Sequence, residues 1–391
     1  MRAGESDYAL HFCEHLRDRG WSVTLVTSAR AGLSPPAGIE MVPIMTGWSW
    51  RELARLRRAL RAAAPDQIFY LYIGWNYGDR VVPTYLPWLA KRWVPAARFT
   101  TVMYNAYGAA EGKHSWPERL ARKIMSLRVG KLDSCYEFGT LLSTSDRIIV
   151  FCQRHFDFLR KVDPAMLPRT HIVPPPPLVR IAPDDPTHRA ATREGLGIGG
   201  QELAVGFFGL LYPGKGVDTL LEAIARVRKA GITLRPVIIG GTLEGNAENG
   251  ADYVESLRQI ARGLSLENAC IWTGPYASGS LDASQWLGAC DLAALPFQTG
   301  ISLNNSSVAA VMAHGLPLVS TRGQDLESSF SHGINVWLVP PGDSGALAGA
   351  LECLATNAAL RKRLGDGARA LARECFSWDR AMDRIEGTVI L

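Results

Sequence analysis

Short apolar runs rich in β-branched residues alternate with helix-like stretches along almost the whole chain. No other feature constrains the fold as much. Such runs read as strands buried on both faces, and these occur in parallel sheets whose crossovers are helices. In the first half the pattern predicts strands over 22–27, 67–72, 99–103 and 147–151, with helices over 8–19, 50–63 and 116–130. In the second half it predicts strands over 203–208, 235–240, 269–273, 292–296, 317–320 and 335–339, with a helix over 217–230 after the first of them. The fold class that follows is α/β, with two Rossmann-like, doubly wound parallel-sheet domains. A chain of 391 residues with 47% hydrophobic content can bury two such cores.

The halves meet in a segment of low periodicity. Residues 174–177 are all proline, and 183–193 is polar with two more prolines, so the segment is expected to be extended. The boundary falls within it. This gives a first domain over 1–180, a second over 181–375, and a terminal helix over 376–391 suited to packing back onto the first domain.

Charge is unevenly spread. Residues 1–180 carry 25 Lys and Arg against 15 Asp and Glu, and the remainder carries 17 against 22. The first domain should therefore attract an anionic partner. In the predicted helix over 50–63, Leu53, Leu56 and Leu60 share one face, and Arg51, Arg55 and Arg58 lie on another. That arrangement suits a solvated outer helix of an α/β domain, and it also suits a helix resting on a membrane surface. The seven cysteines are scattered, with no C-x-x-C pair, which points to a reducing, cytoplasmic compartment. Peripheral placement at the inner face of the membrane stays open. No apolar run is long enough to span a bilayer, and the first residues do not follow the order of a signal peptide. His114, His155, His171 and His332 lack ligand spacing, so no metal is assigned.

Two loops carry candidate chemistry. The stretch from Gly209 through Leu210 and Gly214 to Lys215 and Gly216 lies between a predicted strand and a predicted helix, where open α/β sheets bind ligands. Its glycines let backbone N–H groups come close to an anion, the following helix presents its positive end, and Lys215 adds a full charge. A P-loop is excluded, because Gly216 and Val217 follow Lys215 where a Ser or Thr would hold magnesium. The second loop runs through Ser302, Asn304, Asn305, Ser306 and Ser307 into an apolar helix. Its serines and amides can donate to a diphosphate, although Ser306 could equally serve only as the cap of its own helix. Both loops follow strands of one sheet and should open on the same edge. In the first domain, Trp75 lies in an aromatic stretch after a strand and could form an apolar floor for a ligand, although core packing explains Phe69 and Tyr70 in that stretch equally well. Neither loop has the G-x-G-x-x-G spacing of a dinucleotide oxidoreductase, and no paired acidic residues suggest a glycoside hydrolase.

The stretch from Phe208 and Gly209 through Lys215-Gly216 to Glu222-Ala223 resembles the donor loop of family-four retaining glycosyltransferases, the glycosyl transferases of group 1. Later features follow in that family's order: Val237 to Gly241, Trp272-Thr-Gly274, Asp291-Leu292 with Leu295-Pro296-Phe297, Ala313 to Pro317, Gly333-Ile-Asn335 with Val339 to Asp343, and Phe376-Ser-Trp378. In the first half the likeness rests on Gly4 to His11, Gly20 to Thr27 and Ser145 to Val150. The resemblance implies a GT-B enzyme with two Rossmann-like domains facing a cleft. It would move a sugar from a nucleoside-diphosphate sugar to an envelope glycan, glycolipid or secondary-metabolite acceptor, with retention and without a metal. The donor is a substrate, so no cofactor is expected, and neither is a nucleic-acid partner.

The resemblance also assigns residues. Lys215 becomes the principal catalytic residue, with Tyr104 and Asn105 standing where the family usually has a histidine. Gly209, Leu210, Gly214, Gly240, Gly274, Tyr276, Ser302, Asn304, Asn305, Ser306 and Ser307 join Lys215 in donor binding, and Gly4, Glu5, Ser6, Tyr8 and Trp75 line the acceptor side. There are departures. Leu210 replaces the family's usual Arg, and Gly300 or Ser302 with Val308 or Ala310 replace its two glutamates. They support a second reading, a catalytically silent homologue that binds a nucleotide sugar or a partner enzyme. Family members also open on an apolar strand before the first glycine loop, so a strand upstream of Met1 is expected.

Overall fold

The computed structural model describes residues 4–29, 35–73, 82–104, 141–242, 247–277 and 279–390, together with 116, 120, 123, 124 and 127. The chain forms two compact units. One comprises Met1–Asp7 with Pro175–Ala381, and the other Tyr8–Pro174 with Met382–Leu391. The expected helix over 116–130 falls mostly outside the described residues.

The N-terminal unit holds two parallel sheets. Strand β1 (Val23–Ser28) pairs with β2 (Ile39–Met45), and a separate sheet orders β3 (Gln67–Tyr72), β4 (Arg98–Met103), β5 (Arg147–Val150) and β6 (Thr170–Ile172) in sequence. Strand β2 is hidden in the sequence by Pro43, which a strand tolerates at a sheet edge. The helix Val82–Trp93 is concealed in the same way, by Pro83 and Pro87. A proline inside a helix leaves the carbonyl four residues earlier without its donor. Here that carbonyl is Pro83 O, and it accepts instead from the Tyr70 hydroxyl at 3.2 Å. Leu56 and Leu60 bury the inner face of the helix Leu53–Ala63 in the core, while Arg55, Arg57 and Arg58 stay exposed. This is the solvated outer helix of an α/β domain.

The C-terminal unit is one six-stranded parallel sheet. Its order is β12 (Trp337–Val339), β11 (Leu318–Thr321), β10 (Leu292–Leu295), β7 (Leu203–Phe208), β8 (Leu234–Ile239), β9 (Ile271–Gly274). The chain begins at β7 and builds outward through β8 and β9, then returns to lay β10, β11 and β12 on the other side. The strand order therefore reverses between β7 and β10, which pair directly. Loops leaving two such strands diverge and open a crevice at their carboxyl ends. The strands are apolar throughout; Val205, Phe207 and all of β10 are fully buried, each large side chain contributing about 1.5–3 kcal/mol.

The expectation of an extended chain over 183–193 is overturned by the helix Pro186–Gly195. Its start is specified locally: Asp185 accepts from Thr187 N at 2.8 Å, and Pro186 occupies the first turn, where its missing N–H costs nothing. Arg189 and Arg193 then fasten the helix to Asp291 at 2.7 and 3.0 Å. Near the end of the chain the helix Trp378–Ile390 belongs to both units. Trp378 donates to Pro177 O at 3.1 Å, and further along Glu386 accepts from Arg19 at 2.7 Å and Trp21 at 3.0 Å.

Candidate active site

The crevice between β7 and β10 brings the two loops together through their backbones. Gly214 O accepts from Gln298 N at 3.0 Å. Gly216, at φ 74°, caps the helix Val217–Lys229, and a Cβ on it would sit 2.0 Å from Pro296 O. Gly240, at φ 131°, lies just as close to Gly209, where a Cβ would come 2.1 Å from the Gly209 carbonyl oxygen. Only residues without a side chain allow strands and loops to approach this tightly. Gly209 itself abuts Ser307, Leu210 is partly buried beside it, and Gly274 ends β9.

Lys215 reaches from the first loop to the second. Its Nζ lies 4.9 Å from the ring centre of Tyr212 and 4.7 Å from that of Phe297, the residue two positions after β10. Both rings attract a cation without neutralising it. Among the described residues no carboxylate pairs with this ammonium.

The second loop is fastened from below by β11. Ser320 Oγ donates to Leu295 O at 2.6 Å, Thr321 Oγ1 donates to Phe297 O, and Ile301 N donates to Thr321 O at 2.9 Å. Beyond it the helix Ser306–Ala313 begins with Asn305 as its cap residue, so Ser306 is already helical and does not cap it. Asn305 makes no side-chain cap either, because its Oδ1 accepts from Ser302 N at 2.8 Å. The first amides of this helix are thereby left without a side-chain acceptor and can serve an anion. Ser307 is buried against Gly209, while Ser302, Asn304, Asn305 and Ser306 are partly exposed. Across the sheet Tyr276 stacks on Phe208 with ring centres 6.0 Å apart.

One residue here had no sequence signal. Glu327, between β11 and β12, extends its carboxylate into the second loop, where Oε1 accepts from Ser302 Oγ at 3.0 Å and Leu303 N at 3.3 Å. Burial, with a smaller contribution from the Asp325 carboxylate, pushes its carboxyl up from the ordinary range, against the opposing effect of those two donors and of its own backbone N–H.

Comparison with known proteins agrees with this geometry. Residues 202–357 match the family model for Glycosyl transferases group 1. The chain is similar to D-inositol 3-phosphate glycosyltransferase of Stackebrandtia nassauensis, 27% identical over 416 residues that cover 98% of this chain and 86% of the relative. The chain is a glycosyltransferase with a group 1 domain over residues 202–357. Its fold matches HepE of Anabaena in complex with UDP and glucose, with a TM-score of 0.70 at 18% identity over 99% of this chain and 96% of that one. It also matches sucrose-phosphate synthase of Thermosynechococcus elongatus, with a TM-score of 0.71 at 16% identity over 99% and 94%. These are GT-B proteins, and the fold class read from the sequence holds.

In this glycosyltransferase the positions that depart from the family pattern have definite surroundings. A Cβ on Gly300 would sit 2.2 Å from Gly323 N, so no side chain fits there, and Val308 and Ala310 are wholly buried within a helix whose residues 307–312 are all buried. Ser302 is the one such position on a partly exposed loop. On the acceptor side, Tyr8 is a correction: it is 1% exposed and packs against Phe12, Tyr104 and Phe151, so its ring is core and offers no acceptor surface. Tyr104 is partly buried in the same cluster, and its N–H donates to Tyr72 O at 3.1 Å. Gly4, Glu5 and Ser6 form the first turn of the helix Gly4–Asp18, whereas Asn105 and Trp75 lie outside the described residues. His155 is a core histidine, its pKa pushed down to about 4 by burial and by Arg154. Among the described residues no group of three His, Cys, Asp or Glu could hold a metal, and no helix is long and apolar enough to cross a membrane.

Proposed function

We propose that this glycosyltransferase moves a sugar from a nucleoside-diphosphate sugar to a hydroxyl of an anionic acceptor of the envelope-glycan, glycolipid or secondary-metabolite class, with retention and without a metal ion. The observation that carries the reading is Lys215 Nζ, held between Tyr212 and Phe297 with no carboxylate partner among the described residues. In the reaction the bond from the anomeric carbon to the diphosphate breaks and a bond to the acceptor oxygen forms, while the acceptor's proton passes to the departing diphosphate. Negative charge grows on the diphosphate as its bond breaks. An ammonium and main-chain amides aimed there stabilise the transition state more than the ground state. An anionic acceptor is supported by the basic excess of residues 1–180 and by relatives named for action on D-inositol 3-phosphate.

The decisive experiment is Lys215→Ala, assayed by donor hydrolysis or transfer after a nucleotide-sugar screen by thermal shift. Turnover should fall by more than about tenfold. An unchanged rate removes Lys215 from its role. The silent-homologue reading is favoured by the buried apolar side chains of Val308 and Ala310. UDP or GDP binding without turnover on a broad acceptor panel would decide for it.

Peripheral contact with an anionic membrane completes the proposal. It is supported by the exposed side chains of Trp116, Leu120, Ile124 and Leu127 and by the exposed arginines of the helix Leu53–Ala63. Sedimentation with phosphatidylglycerol vesicles, but not with phosphatidylcholine vesicles, is the expected result; equal recovery with both overturns it.

A further inference from the structure

Glu327 is 8% exposed and stands outside every stretch that pointed to the donor site. Burying a carboxylate is costly unless its oxygens receive donors, and a side chain of similar size without charge would fill the space at less expense. The loop it enters, residues 298–307, contains no acidic or basic side chain. Its donors are specific: Ser302 Oγ and Leu303 N both point to Oε1. The other oxygen, Oε2, is buried with no hydrogen-bond partner among the described residues, and so is Asn304 Oδ1 in the same loop.

The contacts form a chain. Ser302 Oγ donates to Glu327 and accepts from Asn304 N at 3.3 Å, while Ser302 N engages Asn305 Oδ1 at 2.8 Å. That last bond keeps the Asn305 side chain off the amides of the helix it precedes. Freed from Ser302, an asparagine at this position would turn to cap its own helix, as asparagine commonly does. The amides would then be occupied by the protein itself.

We propose that Glu327 is the positioning residue of the donor loop: by fixing Ser302 and Leu303 it holds Asn305 away from the helix Ser306–Ala313 and keeps that helix's first amides open to the diphosphate. The role rests on the donor-site reading given above. Glu327 supplies from a distant segment an acidic group that the loop itself lacks. A glutamine can keep the acceptor oxygen for Ser302 and Leu303, whereas an alanine cannot.

The test uses the full-length protein with two readouts. UDP and GDP are titrated calorimetrically into wild type, Glu327→Ala and Glu327→Gln, and hydrogen exchange is followed in the nucleotide-free proteins over the peptide covering 300–307. Glu327→Ala should weaken the nucleotide that wild type binds by about tenfold or more and speed exchange within that peptide, while Glu327→Gln stays within about threefold. In turnover, the alanine variant should raise donor KM more than it lowers kcat. Wild-type affinity and exchange in Glu327→Ala overturn the proposal, and so does an equal loss in both variants. If wild type binds neither nucleotide, the donor-site reading fails, and exchange alone then decides for or against Glu327. Should Glu327→Ala not fold, Glu327→Asp, which cannot reach both donors, carries the same two readouts.

Discussion

Each unit of the molecule holds a strand-end loop with a buried glutamate, and the two glutamates are served very differently. In the N-terminal unit Glu52 follows β2 and is 5% exposed. Its Oε1 accepts from Thr46 N, from Thr46 Oγ1 at 2.6 Å and from Gly47 N at 3.2 Å, and its Oε2 accepts from Ser49 N at 2.9 Å and Ser49 Oγ at 3.3 Å. Burial alone would raise its pKa, but these hydrogen bonds outweigh burial and hold it at about 2. Glu327 receives donors on one oxygen only, and burial wins. A carboxylate surrounded on both oxygens is a finished structural clamp. One served on a single side keeps its loop in a geometry with polar groups still unmatched, the state expected beside a ligand.

The sharpest way to break this contrast is to remove the clamp. Glu52→Ala leaves the amides of Thr46, Gly47 and Ser49 without their acceptor, and the N-terminal unit should lose about 2–4 kcal/mol in denaturant unfolding. Nucleotide affinity should stay within about twofold, because Glu52 touches only its own loop. A loss below about 0.5 kcal/mol would mean that the loop does not depend on its carboxylate.

Gly216→Ala tests the backbone contact on which the site is built. The new Cβ would sit 2.0 Å from Pro296 O on a residue at φ 74°, so the two loops must part. Nucleotide affinity should drop by about tenfold, measured by calorimetry. Retained affinity would show that the loops can separate and still bind, and would shift weight from the backbone to Lys215 and Glu327.

The comparison also marks what the sequence can and cannot disclose. Strands of the C-terminal unit such as β7 and β10 are legible because they are continuous apolar runs, and the loop from Gly209 to Gly216 is legible because its glycines and lysine are contiguous. Strand β2 and the helix Val82–Trp93 were hidden by prolines whose cost is met by tertiary context: an edge position for Pro43 and the Tyr70 hydroxyl for the carbonyl that Pro87 leaves open. The helix Pro186–Gly195 was missed because its prolines were read as breakers when one of them starts it. Tyr8 lies within an opening stretch, Gly4 to His11, whose family likeness suggests a ligand, yet its neighbours Tyr104 and Phe151 come from strand ends far along the chain. Glu327 is the same lesson in reverse, an acid outside any motif whose meaning lies in a loop more than twenty residues earlier.

A smaller effect separates the two bonds to Glu327. Ser302→Ala removes the hydroxyl donor and leaves the Leu303 amide, so donor KM should rise about three- to fivefold, near 1 kcal/mol. The double variant with Glu327→Ala should then be little worse than Glu327→Ala alone, since both act on one contact. Additive losses would show that Ser302 and Glu327 serve the donor independently.

The smallest effect is the pH dependence of stability, where the two glutamates should show opposite slopes. Glu52 has a folded pKa of about 2, below the ordinary carboxylate value of 4.5, so its contribution is complete above 4.5 and is lost as pH falls through about 2. Glu327 is shifted the other way. The folded protein keeps its proton to higher pH than the unfolded chain does, so stability falls as pH rises from the ordinary carboxylate range through the raised folded pKa. Melting curves of wild type, Glu52→Gln and Glu327→Gln between about pH 3 and about pH 8 isolate the two terms. The advantage of wild type over Glu52→Gln should shrink toward the acid end, while Glu327→Gln should match wild type in acid and gain on it toward neutrality. Parallel curves for wild type and Glu327→Gln across that range would mean that Glu327 titrates like a solvated carboxylate, and its one-sided contact with the donor loop would then be too weak to hold it.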